Sequence, residues 1–265
     1  MQPAVALTIA GSDSGGGAGL QADLATFAAL GVFGTSAVTA VTAQHTSAVL
    51  GVHRVPPAFV DLQITAVLDD LPVAAVKTGM LASVETVRAV GARAAAGDLP
   101  NLVVDPVLVA STGRPLLEGD GPAAYLAHLI PHALVVTPNR REAELLTGVV
   151  IRDRHGMEAA ARLLAASGVG TVVVKGGHLA GERAPDVIVH AGQVTTIDAP
   201  RVVTTNDHGT GCTLSAAITA GLATGAGPLA AAEAAKAYVW RAIEGAATWR
   251  LGAGHGPVDH YGWGA

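Results

Sequence analysis

The chain has 265 residues, of which half are hydrophobic and 14% are charged, and its net charge is −5 at pH 7. No block of Lys and Arg is present, which argues against a nucleic acid or an anionic membrane surface as a partner, because both attract clustered positive charge. The single cysteine excludes an intramolecular disulfide, and without a signal-like start or an apolar run of about 20 residues we expect a cytoplasmic protein.

Short β-branched runs alternate with Ala- and Leu-rich segments of helical length. In chain order they predict strand 5–9, helix 18–30, strand 35–40, helix 57–68, strand 74–77, helix 83–96, strand 102–104, helix 122–129, strand 134–136, helices 140–146 and 155–166, strands 171–175, 186–190 and 194–197, and helices 211–223 and 228–247. Continuous apolar strands are typical of a parallel sheet covered on both faces, whereas 186–197, with a turn at 191–193, predicts an antiparallel edge hairpin. We therefore expect an α/β fold of three layers, α/β/α, with a mostly parallel central sheet, in one domain over residues 1–265.

Polar and glycine-rich segments follow the predicted strands. They lie at 11–19, 42–45, 77–80, 105–113, 137–142, 175–178 and 206–212. Ligands of such sheets bind beyond the carboxyl ends of the strands. These segments therefore predict one common site at that edge of the sheet.

The segment 206–213 reads Asn-Asp-His-Gly-Thr-Gly-Cys-Thr and opens an apolar helix. Glycines before a helix let backbone N–H groups point into one concavity, which binds anions and stabilises a phosphoryl group in flight. Cys212 would lie in the first turn, where the helix dipole favours a thiolate that can take a proton from a substrate hydroxyl. A buried cysteine beside an ordinary tight turn is the alternative.

Two common nucleotide motifs are absent. The stretch 11–19 lacks the Gly-Lys-Ser/Thr end of a P-loop. Both glycine clusters break the Gly-x-Gly-x-x-Gly pattern at its last position, where Leu20 and Leu214 stand. A dinucleotide-dependent dehydrogenase is poorly supported.

Seven blocks of sequence, in order, carry a resemblance over nearly the whole chain. They are IAGSDSGGGAGLQAD (9–23), AVTAVTAQ (37–44), VKTGML (76–81), VDPV (104–107), TPNRREA (137–143), VKGGH (174–178) and HGTGCT (208–213). With these blocks the chain resembles the hydroxymethylpyrimidine/phosphomethylpyrimidine kinases of thiamine biosynthesis. The resemblance implies a ribokinase-like fold, ATP and Mg²⁺ as co-substrates, and a homodimer. It also implies that Cys212 is the catalytic base, where the wider superfamily usually has an Asp, and that Gly209 and Gly211 shape the anion hole.

For the substrate, the resemblance points to Gln44, whose carboxamide complements the donor and acceptor of a 4-aminopyrimidine. It also implies that Gly11 and Gly19 let backbone approach the ring, that Asp23 helps to hold the pocket, and that Met80 and Val107 line an apolar slot. Each has a plainer alternative: a solvated loop glutamine, a capping or packing role for Asp23, and core positions for Met80 and Val107.

For the nucleotide, Asp105 and Glu142 are the expected Mg²⁺ ligands, mostly through water. Lys175 ends a buried strand and is expected to bind phosphate. Asn139, Thr210 and Lys236 are further candidates for nucleotide binding, although Asn139 also suits an N-cap and Lys236 an exposed helical lysine.

Two rival functions stay open. A pyridoxal kinase on the same scaffold also phosphorylates a hydroxymethyl group on an aromatic ring. A non-catalytic vitamin-precursor binder would keep the fold without turnover. Asp207, where many relatives have Thr or Asn, adds a carboxylate near the anion hole, and we expect it to point outward or to meet a cation.

Overall fold

The computed structural model describes residues 2–109, 117, 120–177 and 179–264. The strands within them are β1 (Val5–Ser12), β2 (Phe33–His45), β3 (Ala48–Arg54), β4 (Val73–Thr78), β5 (Val103–Val104), β6 (Val135–Val136), β7 (Thr171–Lys175), β8 (Asp186–His190) and β9 (Gln193–Ile197). The helices are α1 (Gly19–Ala29), α2 (Pro57–Leu68), α3 (Val84–Ala96), α4 (Gly121–His128), α5 (Arg140–Thr147), α6 (Arg154–Ala165), α7 (Thr210–Ala223) and α8 (Pro228–Ala246). None of these described helices has the length and apolar character needed to cross a bilayer.

The strands form one sheet in the order β3-β2-β1-β4-β5-β6-β7-β8-β9. The pairs from β2 to β7 are parallel, whereas β3 pairs antiparallel with β2, and β8 and β9 continue antiparallel from β7. The predicted three-layer α/β/α fold with an antiparallel hairpin at one edge is therefore confirmed. The opposite edge is also antiparallel, which the sequence did not predict.

Strand β3 escaped prediction because it has no core face. Its side chains are half-buried or exposed throughout, so no apolar alternation marks it. Its partner β2 extends to His45, past the predicted end at residue 40, and residues 41–45 owe most of their pairing to β3. This edge hairpin carries Gln44 to the carboxyl edge of the sheet.

Each face of the sheet packs on its own helices. Helices α2 to α6 cover one face through a large aliphatic core. Helices α7 and α8 cover the other face, where they pack on Ala75, Val103, Val135 and Val173. Helix α1 joins them through Phe27, which contacts Ala216 and Ala220 of α7. The small side chains of α7 let it lie close to the sheet, so its first turn is held firmly over the strand ends.

The strand period then decides which side chains lie under α7. Ala75, Val103 and Val173 face α7 and α8, so the residues two positions later share that face. Those residues are Lys77, Asp105 and Lys175, at the carboxyl ends of β4, β5 and β7. Three charged groups are thereby aligned beneath the first turn of α7.

Candidate active site

Gly209 caps helix α7 in a conformation that only glycine fits. Its φ is +84°, and a Cβ atom would lie 1.8 Å from the carbonyl oxygen of Gly17. A glycine cap offers no side chain to the amides of the first turn, which include those of Gly211 and Cys212. No side chain caps these N–H groups, an arrangement that suits the anion hole that the sequence predicts.

Cys212 lies in this first turn, half-buried, and its sulfur receives a hydrogen bond from the Gly19 amide. Burial raises the pKa of the thiol to about 11, and the opposing effects of Lys77 and the Gly19 amide only partly compensate. The position agrees with the sequence analysis, but the expected thiolate needs correction. In the free protein Cys212 is a thiol at neutral pH, because desolvation outweighs the helix terminus.

The glycine loop at residues 11–19 packs tightly on itself and on Met80. A Cβ on Gly19, whose φ is +56°, would lie 2.3 Å from the carbonyl oxygen of Gly11, and a Cβ on Gly11 would lie 2.2 Å from Cε of Met80. Glycine is thus needed at position 19 for backbone contacts within the protein, whereas a side chain at position 11 would displace the flexible end of Met80. Met80 and Val107 are half-buried, as residues lining a slot would be.

Asp13 connects the glycine loop to His208, in the segment just before α7. Its carboxylate accepts hydrogen bonds from the amides of Gly15 and Ala18, at 2.8 and 2.9 Å, and lies 2.8 Å from Nε2 of His208. Burial alone would raise the pKa of Asp13, but the bonds from His208, Gly15 and Ala18 outweigh it and hold the pKa below its ordinary value. Sequence reasoning gave Asp13 no role, although an Asp two residues before a Gly is a known turn signal.

Gln44 reaches the same junction from the edge hairpin. Its carboxamide nitrogen lies 3.4 Å from Nε2 of His208, and its backbone exchanges two hydrogen bonds with the Ser14 hydroxyl. A bulge between Ala43 and Gln44 shifts the register and re-aims the side chain. The half-buried Gln44 is therefore held at the edge of the glycine loop.

Lys175 and Asp105 form an ion pair under the anion hole. Nζ of Lys175 lies 3.0 Å from Oδ1 of Asp105, whose other oxygen accepts a hydrogen bond from Ser215. Burial alone would lower the pKa of Lys175, but Asp105 and Glu142 outweigh it and keep the ammonium charged. A Cβ on Gly211 would lie 3.2 Å from Nζ of Lys175, so the absence of a side chain there leaves this ammonium close to the first turn.

Glu142 and Asn139 form a capping box at the start of α5, so the capping alternative for Asn139 is what the structure displays. Asn139 Oδ1 accepts from the Glu142 amide, while Glu142 Oε2 accepts from the Asn139 amide at 2.7 Å. Burial, with a further contribution from Asp105, raises the pKa of Glu142 to about 7. A cation beside these two carboxylates would relieve that repulsion, so they fit Mg²⁺ bound largely through water and phosphate.

The two remaining candidates for nucleotide binding are Lys236 on α8 and Thr210 at the start of α7. Nζ of Lys236 lies 2.6 Å from the Ala184 carbonyl oxygen and 2.8 Å from Oδ2 of Asp186. Lys236 also borders a cavity of about 370 Å³ between α8 and residues 197–200. Thr210 begins α7 and is half-buried. Neither residue is an ordinary solvated surface side chain.

Asp23 lies below the pocket instead of in its wall. Its side chain has no exposed surface, and its two oxygens are bonded to Nζ of Lys77 at 2.5 Å and to the Thr8 hydroxyl at 2.6 Å. A substrate cannot reach it. The expectation that Asp23 contacts the substrate therefore needs correction, because the packing alternative is what the structure displays; its partner Lys77 received no role from the sequence.

Comparison with known proteins identifies the family to which the chain belongs. A sequence model described as phosphomethylpyrimidine kinase matches residues 13–259. The chain belongs to the phosphomethylpyrimidine kinase family. A hydroxymethylpyrimidine/phosphomethylpyrimidine kinase of Rhizobium meliloti (strain 1021) is 50% identical to it over 97% of both chains.

Solved structures agree with the family assignment. A phosphomethylpyrimidine kinase from Clostridium difficile 630 is 39% identical, with a TM-score of 0.80 over 91% of this chain and 99% of that chain. A pyridoxal kinase of Bacillus subtilis, solved as an ADP complex, is 35% identical, with a TM-score of 0.90 over 98% of both chains. The kinase fold is therefore shared with relatives that act on either ring.

Asp207, the departure from the usual phosphomethylpyrimidine kinase pattern, points outward as expected. Its carboxylate is half exposed and lies 2.7 Å from Nδ1 of His255 in the C-terminal tail. The same tail accepts a hydrogen bond from the His208 amide at the Gly256 carbonyl. The extra carboxylate is thus turned away from the anion hole.

We expect Asp13→Asn to raise KM for the pyrimidine by about tenfold, with a smaller change in KM for ATP. The amide cannot accept all three hydrogen bonds, and each lost bond to a charged group costs roughly 1.5–3 kcal/mol. Steady-state kinetics with each substrate varied in turn measure the effect. Asp207→Asn, which breaks an exposed Asp–His pair, is the matched control. An equal rise in both KM values would contradict the proposed link from Asp13 through His208 to Gln44.

Proposed function

We propose that this chain transfers the γ-phosphoryl group of ATP to the hydroxymethyl oxygen of 4-amino-5-hydroxymethyl-2-methylpyrimidine, and then phosphorylates the monophosphate to the diphosphate, in thiamine biosynthesis. The observation that carries the proposal is the position of Cys212. It lies in the glycine-opened first turn of α7, next to Gly211, where a Cβ would lie 3.2 Å from Nζ of the Lys175–Asp105 pair. The family membership supports the same activity.

In the first step the thiolate form of Cys212, which must first lose its own proton to solvent, accepts the proton of the hydroxymethyl group as its oxygen attacks the γ-phosphorus in line and ADP leaves. The first-turn amides of α7, with Gly209 and Gly211 shaping the turn, donate to the equatorial oxygens, where charge develops in the transition state. Lys175 offsets phosphate charge by exchanging part of its contact with Asp105 for the nucleotide. Asp105 and Glu142 would hold Mg²⁺, largely through water, and the ion would neutralise charge on the triphosphate.

The pyrimidine is read by Gln44, whose carboxamide pairs with the amino group and the adjacent ring nitrogen. Gly11, Gly19, Met80 and Val107 shape the slot around the ring. On the nucleotide side, Asn139, Thr210 and Lys236 are proposed contacts, the last beside the cavity at residues 197–200. The ADP complex of the related pyridoxal kinase supports an adenine nucleotide as the phosphoryl donor.

The proposal also covers the protein's setting. We infer one kinase domain, a homodimer as the family resemblance implies, and a cytoplasmic location. Size-exclusion chromatography with light scattering tests the dimer directly.

Pyridoxal kinase is the second candidate, because a pyridoxal kinase matches the fold with a TM-score of 0.90. Sequence favours the pyrimidine, since the identity is 50% to the Rhizobium meliloti enzyme and 35% to the pyridoxal kinase. The test is ATP consumption by the purified chain with hydroxymethylpyrimidine, its monophosphate or pyridoxal. A higher kcat/KM for pyridoxal would reverse the assignment, and pyrimidine binding without ATP consumption would favour the non-catalytic binder.

A further inference from the structure

Lys77 and Asp23 form an ion pair in the interior of the protein. Both side chains have no exposed surface, and Nζ lies 2.5 Å from Oδ1. The second oxygen of Asp23 receives the Thr8 hydroxyl at 2.6 Å. A buried pair of this kind contributes little to stability compared with apolar side chains of the same size, because both ions lose their hydration. The pair therefore calls for a functional explanation.

The position of Lys77 supplies one. It ends β4 on the face that α7 covers, and α7 packs on β4, β1 and β5. The ammonium packs against the backbone just after β4, since a Cβ on Gly79 would lie 3.4 Å from Nζ of Lys77 and 2.9 Å from Cβ of Ala10. Lys77 and the first turn of α7, where Cys212 lies, therefore share one face of the sheet at its carboxyl edge.

Charge completes the picture. Burial alone would lower the pKa of Lys77, but Asp23, Cys212 and Asp105 outweigh burial, so the ammonium keeps its proton. Among the charged groups, Lys77 has the largest influence favouring a thiolate at Cys212, and Asp23 opposes it. The ammonium of Lys77 therefore favours the thiolate of Cys212, and the carboxylate of Asp23 partly cancels that effect.

We propose that Lys77 is a positioning residue for Cys212, whose buried ammonium, oriented by Asp23 and Thr8, stabilises the thiolate that accepts the substrate proton. The proposal rests on the role of Cys212 as the base in the proposed function. In this arrangement Asp23 holds the Lys77 ammonium in place and partly cancels its effect on the thiol. The charged groups that act on the thiol from the packed elements are Lys77 on β4, Asp23 on α1, Asp105 just after β5 and Lys175 on β7.

The proposal predicts that substitutions of Lys77 and Asp23 change the acidity of the Cys212 thiol in opposite directions, which a purely structural role does not predict. Lys77→Met removes the charge that favours the thiolate, so the thiol becomes less acidic. Asp23→Asn removes the opposing charge, so the thiol becomes more acidic. The double variant Lys77→Met/Asp23→Asn falls between the wild type and Lys77→Met, because the influence of Lys77 is the larger of the two.

Alkylation of the protein by iodoacetamide measures this directly, because Cys212 is the only cysteine in the chain. The rate is followed from pH 6 to pH 10 without substrates, since the thiolate is the reactive form. At pH 8 we expect Lys77→Met to slow alkylation by about tenfold, which is one unit of pKa, and Asp23→Asn to speed it several-fold. Lys236→Met is the matched control for alkylation only, since it breaks a comparable, mostly buried lysine–aspartate pair between α8 and β8.

Every outcome decides the matter. The order Asp23→Asn, wild type, double variant, Lys77→Met, from fastest to slowest, supports the proposal. Unchanged rates, or the same direction of change in both single variants, overturn it. If Lys77→Met does not fold, Asp23→Asn and the double variant still give opposite expected signs. Failure of the proposed function is separate: the alkylation order would hold, while Cys212→Ala would leave the first phosphorylation intact.

Discussion

Cys212→Ala is expected to lower kcat for the phosphorylation of hydroxymethylpyrimidine by about 10²–10⁴-fold, the usual contribution of a general base. The second phosphorylation is expected to fall by less than about tenfold. Its nucleophile is a phosphate oxygen, which has a pKa near 6 and is already ionised at pH 8. The two steps are measured separately, with the purified alcohol and the purified monophosphate as substrates.

The pH dependence of the first step follows from the same residue. Because burial raises the pKa of Cys212 to about 11, the thiolate fraction grows as the pH rises through the neutral range. The rate of the first step should therefore rise with pH, by about tenfold per unit well below the pKa. In Cys212→Ala this slope should be lost, and the second step should lack it in both proteins.

Cys212→Ser is the control for packing, because it keeps a small polar side chain but ionises far less readily than a thiol. It should behave like Cys212→Ala in the first step and preserve thermal stability. Equal losses in both steps, with the wild-type pH slope retained in the variants, would rule out the base role and point to a structural one.

The sequence was informative where function depends on local geometry. Alternating strands and helices predicted the layered sheet, and the glycines around residue 210 predicted the glycine turn that opens α7, because both depend on neighbours within a few residues. The row of Lys77, Asp105 and Lys175 under α7 follows from the two-residue period of the strands. Only two of those three, Asp105 and Lys175, were singled out beforehand.

The remaining features depend on contacts between distant parts of the chain. Asp13 and His208 are 195 residues apart, and the pairing of Asp23 with Lys77 joins α1 to β4. No local pattern predicts such partners. The predicted ionisation state of Cys212 was wrong for the same reason. The helix terminus is visible in the sequence, whereas the burial that raises the pKa of the thiol is a property of the folded protein.

Gly209→Ala is expected to lower kcat for both phosphorylations by about 10²-fold or more, which distinguishes it from Cys212→Ala. The new Cβ would lie 1.8 Å from the carbonyl oxygen of Gly17, so one of the two backbone segments has to move. That displacement misaligns the first-turn amides, and loss of a single oxyanion donor alone costs about 10²–10³-fold. Both steps suffer because both transfer a phosphoryl group past the same amides.

The matched control is Gly225→Ala, just after the end of the same helix. Gly225 has a φ of +91°, close to that of Gly209, but a Cβ there would meet no atom within 4 Å. It therefore carries the backbone strain, of the order of 1 kcal/mol, without the collision. We expect Gly225→Ala to lose some thermal stability and to keep kcat within about twofold. Gly209→Ala could instead match Gly225→Ala in both thermal stability and kcat. The close contact between Gly209 and Gly17 would then have no part in positioning the first-turn amides, and those amides would not be the groups that stabilise the transferring phosphoryl group.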